Sequence, residues 1–286
     1  ITLLYFFAIY PILLVYSVAI TNTVESFMTH QLHLQAPPRA LLALILIVGL
    51  MTIVRFGKEI IVKTMSVLVY PFVLVLMVLA LYLIPHWSSA IFDNVSMSGT
   101  GKGLMMTLWL AIPVMVFSFN HSPIISAFAV AKREEYGDQA EPKCSRILAR
   151  SHVMMVLTVM FFVFSCVLSL TPANLAEAKA QNISILSYLA NHFDTPLMAW
   201  LAPVIAMVAI TKSFLGHYLG AREGFNGTVN KMLRSRGKSI AEHKLNRFTA
   251  LFMLVTTWIV ATLDPSILGL IESLGGPIIA VLLFLM

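Results

Sequence analysis

Charge is what this 286-residue chain has least of: Asp, Glu, Lys and Arg make up 11% of it, where a soluble globular domain carries about 25%. With 59% hydrophobic residues and a mean hydropathy of +0.88, too few polar side chains remain to cover a water-soluble domain of this size. A bilayer is the solvent the composition fits. Cysteine is nearly absent, and the two present do not pair: Cys144 lies in a charged segment and Cys166 inside an apolar run. No disulfide, zinc site or other metal site is expected. Sustained alternation of apolar and polar residues is missing, which argues against a β-barrel. There is no Walker loop, nucleophile elbow or zinc-protease motif, so neither ATP hydrolysis nor covalent catalysis is expected, and no resident cofactor. The net charge of +6 does not point to nucleic acid, because the basic residues carry no aromatic interleaving and no recognition element.

What is present is a series of apolar runs near the length a bilayer needs, about 20 helical residues at roughly 1.5 Å each. Seven are complete and an eighth is truncated: 1–27, 40–54 (extended back to Pro37), 64–85, 103–131 (interrupted), 152–171, 197–221, 247–263, and 275 onward. The expected fold is an all-α integral membrane protein forming one transmembrane domain. Charge asymmetry orients it. Loops 55–63, 132–150 and 222–247 hold fifteen Lys and Arg, whereas those near 28–39, 85–102, 172–196 and 264–274 hold three, which puts the first set inside. Ile1 begins mid-run, and Pro277 onward covers only about 15 Å of a core roughly 30 Å thick, so both ends are expected to continue in a longer protein.

The segment 103–131 is polar at its middle, running Ser118-Phe119-Asn120-His121-Ser122-Pro123. Ser122 followed by Pro123 reads as an N-cap with proline at the first helical position, so one half-helix is expected to end near Ser118 and another to begin at Pro123. Lipid tolerates such a break only where the freed backbone groups line a cavity or a site. The first half-helix would turn its carbonyl end, and the second its N–H end, toward the gap, an arrangement suited to a zwitterion. A proline kink satisfied by neighbouring helices is the plainer alternative. Ser118, Phe119, Asn120, His121 and Ser122 are the candidate substrate contacts, with His121 also able to respond to protons.

A second feature is Thr211-Lys212-Ser213-Phe214-Leu215-Gly216-His217-Tyr218-Leu219-Gly220. A lysine near the centre of a span costs about 2.5–3.5 kcal/mol on insertion scales, so Lys212 either snorkels to the inner surface or faces the bundle interior as a fixed cation or proton carrier. Gly216 and Gly220 form a small-residue face for close packing. Glu25 is expected at the interface, Glu272 as a vestibule gate or a cap, and Asp264 in a loop. Ile183, Leu186, Leu189, Ala190 and Phe193 repeat at helical spacing in an outside segment, reading as an amphipathic helix over the outer face. Asn182-Ile183-Ser184 matches a glycosylation acceptor.

The runs Val116 to Ile125 and Lys212 to Gly216, with Ala131-Lys132-Arg133-Glu134-Glu135-Tyr136-Gly137, resemble bacterial permeases of the hydroxy and aromatic amino acid permease family. The likeness extends from Leu3-Leu4-Tyr5-Phe6-Phe7 to Leu274-Gly275-Gly276-Pro277. The resemblance implies an inner-membrane, proton-coupled importer of L-serine, with eleven spans in a leucine-transporter-like five-plus-five inverted repeat of which the third to tenth are present here. Residues 103–131 would be its discontinuous sixth helix, and Tyr16 a residue of a site-lining helix. Aromatic-substrate members carry Thr-Ser where this chain has Lys212-Ser213, and hydroxyls of that helix hold sodium in sodium-coupled relatives of the fold. The resemblance therefore implies that Lys212 and Ser213 are the ion-coupling pair, the ammonium replacing sodium. A threonine/serine or aromatic amino acid permease is the alternative within the class. A channel-like pore is the alternative outside it, since broken helices also line pores. A membrane enzyme using His121 lacks a partner carboxylate or metal cluster.

Overall fold

In a computed structural model every regular element is a helix among the residues described, which are 2–54, 58–93, 101–119, 122–193, 195–275, 277–279 and 281. The helices are α1 (Thr2–His30), α2 (Arg39–Ile53), α3 (Lys58–Leu83), α4 (Ala90–Asp93), α5 (Gly101–Phe119) and α6 (Ser122–Tyr136), followed by α7 (Ala140–Ser169), α8 (Pro172–Ala180), α9 (Ile185–His192), α10 (Ala202–Ser235), α11 (Glu242–Leu263) and α12 (Ile267–Leu270). Among the described residues five helices are long and apolar enough to cross a membrane; of three shorter apolar ones, Arg39–Ile53 and Met105–Phe119 fall on expected segments, whereas Ile267–Ile279 begins inside 264–274, expected as a loop, and overlaps the span expected from 275 only at its end.

The boundaries depart from expectation wherever the chain leaves the apolar runs. Helix α2 starts at Arg39 rather than Pro37, with Pro38 in an extended conformation just before it. The segment 132–150, expected as a loop, is helical except for one 3₁₀ turn, Gly137–Gln139, entered through Gly137 at a φ of +54°. Its residues are strong helix formers, and Pro142 falls in the first turn of α7, where a proline is tolerated. Helix α10 likewise runs past its apolar stretch to Ser235, about 50 Å in all.

Helix α1 is the most enclosed. Its Phe6, Ile9, Leu13 and Ile20 join Ala43 and Ile47 of α2, Phe214, Tyr218 and Ala221 of α10, and Met253 of α11 in one buried cluster. The seam with α10 is closest at two glycines. A Cβ on Gly224 would stand 3.2 Å from Cδ1 of Tyr5 and 3.3 Å from Cα of Phe6, and one on Gly220 would stand 3.3 Å from Cδ1 of Ile9. A Cβ on Gly216 would meet nothing within 4 Å. The close-packing pair is therefore Gly220 with Gly224, one turn further along than the expected Gly216 with Gly220. Each four-residue step rotates the row by about 40°, so a row that meets α1 at Gly224 has turned off it by Gly216.

A second cluster joins Leu79 and Leu83 of α3, Phe162 and Cys166 of α7, Leu186 and Leu189 of α9, and Ala202 at the start of α10. It holds the α8–α9 hairpin against the outer end. Both hairpin helices are capped, Asn174 donating its backbone N–H to the Thr171 hydroxyl and Ser187 to that of Ser184. Of the expected amphipathic face, Leu186, Leu189 and Ala190 are buried, while Ile183 and Phe193 are half-buried.

Many polar residues inside the spans are satisfied within their own helices, by single interhelical bonds such as Ser17 to the Thr257 carbonyl, or at one node, while the buried hydroxyls of Thr23 and Ser165 have no hydrogen-bond partner among the described residues. Thr21, Thr257 and Thr262 each donate to the carbonyl four residues back. The node lies at the outer end and centres on Arg39. Its Nη1 meets Glu25 Oε2 at 2.8 Å, its Nη2 meets Asp264 Oδ1 at 2.9 Å, and its Nε donates to the Ala261 carbonyl at 2.8 Å. Asn182 donates to Asp264 Oδ1 and accepts from the Ile267 N–H, both at 2.9 Å, so the asparagine of the glycosylation pattern is committed to holding the hairpin to the end of α11. Glu25, near the end of α1, is half-buried in this node, and Asp264 ends α11 in a left-handed turn at a φ of +51°.

Replacing Gly224 by Leu is expected to destabilise the bundle by about 1–3 kcal/mol through overpacking against Tyr5 and the Phe6 backbone, with Gly216→Leu close to neutral. Thermal unfolding of the two variants in detergent checks this. Equal melting temperatures would overturn the seam assignment.

Candidate functional site

Three polar side chains from two helices meet in the middle of the bundle. Tyr16, midway along α1, has its hydroxyl within hydrogen-bonding reach of the Ser213 side chain on α10. The His217 ring, one turn further along α10, lies 5.3 Å from the Tyr16 ring. Its Nδ1 is 2.7 Å from the Ser213 carbonyl oxygen. A carbonyl only accepts, so Nδ1 carries the hydrogen, and Nε2 is left as the nitrogen that takes up or releases a proton.

The third wall is α5. The Phe117 ring stands 6.2 Å from that of Tyr16, and an apolar floor of Ala8, Ile12 and Ile279 closes the group. The π-helical turn Ile271–Gly275, which contains half-buried Glu272, packs against both α1 and α5. Two hydroxyls and an imidazole thus share an apolar surrounding at mid-depth, and each of the three can give or take a hydrogen bond.

Of the residues singled out in the sequence, Tyr16 and Ser213 are brought together. Lys212 is adjacent in sequence but projects about 100° round α10 from Ser213, off the face that meets Tyr16. It is half-buried and forms no ion pair among the described residues. Ser118 is exposed and donates to the Val114 carbonyl at 2.8 Å, Phe119 is half-buried, and Phe117 is the α5 residue that faces Tyr16. Asn120 and His121 lie outside the described residues, as does the Ser122 side chain. The expected interruption between Ser118 and Pro123 therefore falls largely on residues outside those described, with α5 described as far as Phe119 and α6 from Ser122.

His217 and Phe117 were not singled out from the sequence. An ionisable ring one helical turn after Ser213, inside an apolar run, is the signal that marks His217. Phe117 carries no such signal in a span rich in large apolar residues. Two cavities of about 530 and 670 Å³ lie elsewhere, at the inner ends of α10 and α11.

A bundle of apolar helices, five of them among the described residues long and apolar enough to cross a bilayer, has the architecture of a multi-pass membrane protein. The chain is 78% identical over 289 residues to the serine transporter SdaC of Escherichia coli strain K12, a match that takes in all of this chain and 67% of the relative. It is 76% identical to the serine transporter SdaC of Shigella flexneri, with the same coverage. The threonine/serine transporter TdcC of Escherichia fergusonii is 49% identical over 305 residues, covering all of this chain and 69% of that relative. No family model and no solved structure matches. The chain belongs to the hydroxy and aromatic amino acid permease family of bacterial transporters.

The hydrogen bond to Ser213 fixes the neutral tautomer of His217. Nitrogen NMR of histidine-labelled protein, with His217→Gln to assign the signal, is expected to show Nδ1 protonated and Nε2 bare. The reverse pattern would contradict the geometry.

Proposed function

We propose that this chain provides the site-bearing part of a proton-coupled importer of L-serine in the bacterial inner membrane. The observation that carries the substrate is the identity gradient: 78% to transporters named for serine against 49% to one named for threonine and serine. Its helices are assigned to a leucine-transporter-like five-plus-five inverted repeat, α1 as the third span, α5 with α6 as the discontinuous sixth, α10 as the eighth and α11 as the ninth. The meeting of α1, α5 and α10 around Tyr16 supports that assignment.

In this reading the carboxylate of serine docks on the N–H groups that open α6, and its ammonium on the carbonyl end of α5, each at the favourable end of a helix dipole. Ser118, Phe119, Asn120, His121 and Ser122 line that gap. Tyr16 closes it from α1, and the hydroxylated lining selects a short polar side chain. His217 orients Ser213 by holding its carbonyl.

Lys212 and Ser213 form the coupling element. The Lys212 ammonium takes the place a sodium ion holds in sodium-coupled relatives of the fold, so the driving ion is the proton. Each charge moved inward is worth about 2.3 kcal/mol per 100 mV of membrane potential. Lys212→Ala is expected to abolish accumulation against a gradient, while sodium-independent, proton-driven uptake in that variant would sink the coupling role. Tyr16→Phe is expected to raise the serine KM about three- to tenfold, the worth of one hydrogen bond, with little change in expression.

The experiment that tests the whole reading reconstitutes the full-length protein and follows labelled L-serine under an inward proton or sodium gradient, with threonine and tryptophan as competitors. Proton-driven accumulation competed by serine and not by tryptophan is the expected result. Uptake that only equilibrates would favour a channel-like pore, and sodium-driven accumulation would overturn the coupling.

A further inference from the structure

The two cavities at the inner ends of α10 and α11 are not part of the central site. Arg222 and Asn246 line both of them. The larger, about 670 Å³, is a groove between α2, α10 and α11 walled by Val48, Met51, Leu251 and Leu254, with Arg222 and Arg247 as its charged residues. The smaller adds Arg234 and Lys238, opposed by Glu223 and Glu242.

Polarity in the groove is graded along the membrane normal. Helices α2 and α10 run inward and α11 runs outward, as the charge asymmetry of the loops requires. Val54, Arg222, Asn246 and Arg247 therefore lie at the level of the inner surface, while Val48, Tyr218 and Leu254 lie deeper, toward the acyl chains. The deeper walls face outward, with Val48 43% and Leu251 59% exposed.

The charged end is also prepared. The Arg222 guanidinium sits over the Tyr218 ring, 5.9 Å from its centroid, and is within hydrogen-bonding reach of the Tyr218 hydroxyl, which holds the side chain; with five N–H donors, a guanidinium held by one such bond can still bind a phosphate. Asn246 is fixed by a 2.6 Å hydrogen bond from Asn226, whose Oδ1 in turn accepts from Thr249. Arg247 is exposed and forms no ion pair among the described residues. The acids Glu223 and Glu242 line the neighbouring cavity and not the groove.

We propose that Arg222 and Arg247 hold the phosphate of an anionic phospholipid of the inner leaflet, with an acyl chain lying along Val48, Leu251 and Leu254. Two arginines at headgroup depth supply the charge complement, and the apolar walls below them supply the specificity for a lipid over a soluble anion. A soluble phosphate compound would use the arginines and leave those walls uncovered.

The test uses the full-length protein in detergent, with stabilisation by phosphatidylglycerol and lipid retention measured by native mass spectrometry. Retention is expected to fall about fivefold in Arg247→Gln and on the order of thirtyfold in the double variant with Arg222→Gln, near the worth of one arginine each at a charged surface. Leu251→Trp, which fills the groove without touching the core, is expected to displace the lipid too, so a misfolded arginine variant does not leave the proposal unprobed. Arg146→Gln, an inner-surface arginine on α7, is expected to leave retention unchanged. Equal stabilisation by a zwitterionic lipid, equal stabilisation by glycerol phosphate without acyl chains, an equal loss in Arg146→Gln, or unaltered retention in the double variant and Leu251→Trp would each overturn it.

Discussion

The contact on which the rest of the bundle depends is the seam between α1 and α10. In lipid there is little hydrophobic gain in bringing two apolar helices together, so close backbone approach and dispersion must do it. Gly220 and Gly224 permit that approach at one end of the seam, where Tyr5, Phe6 and Ile9 fill the space a side chain would need. Tyr16, Ser213 and His217 meet further along the same seam. The position of the polar enclosure is thus set by packing about two to three turns away from Tyr16 and Ser213, and their relative placement is inherited from two glycines outside the enclosure.

The enclosure itself shows how a membrane protein keeps polar groups without leaving them bare. The imidazole of His217 satisfies itself on the carbonyl of its own preceding turn and rests its face against an aromatic ring. The hydroxyls of Ser213 and Tyr16 lie within reach of each other across the seam. Such pairs stay satisfied when the site is empty and can exchange partners when a small zwitterion arrives, so neither state strands a buried donor.

What the sequence made legible, and what it did not, divides along the same physical line. The apolar runs were readable because in a bilayer composition alone decides where the chain lies, and the loop lysines and arginines oriented them. The extensions of α7 to Ala140 and of α10 to Ser235 were not readable from hydropathy, since outside the lipid only helix propensity governs where a helix stops. Gly224 escaped notice because four-residue spacing gives a row of small residues but not which part of the row a crossing helix touches. Lys212 was conspicuous for its charge, yet the face that meets Tyr16 belongs to Ser213 and His217, and facing is set by tertiary packing that one sequence does not reveal.

The two faces of the membrane hold this bundle together by different forces. Toward the inner side, α1 and α10 are joined by glycine and aromatic packing, which dissolved ions do not touch. At the outer end, α1, α2, the α8–α9 hairpin and α11 converge on Arg39, Glu25, Asp264 and Asn182, charges that are only partly shielded from water. Their attraction is screened over about 10 Å at 0.1 M salt and over longer distances in dilute media. The outer rim is therefore the part of the molecule whose stiffness varies with the medium: firmest in fresh water, looser in brine, while the seam beneath it is indifferent to both.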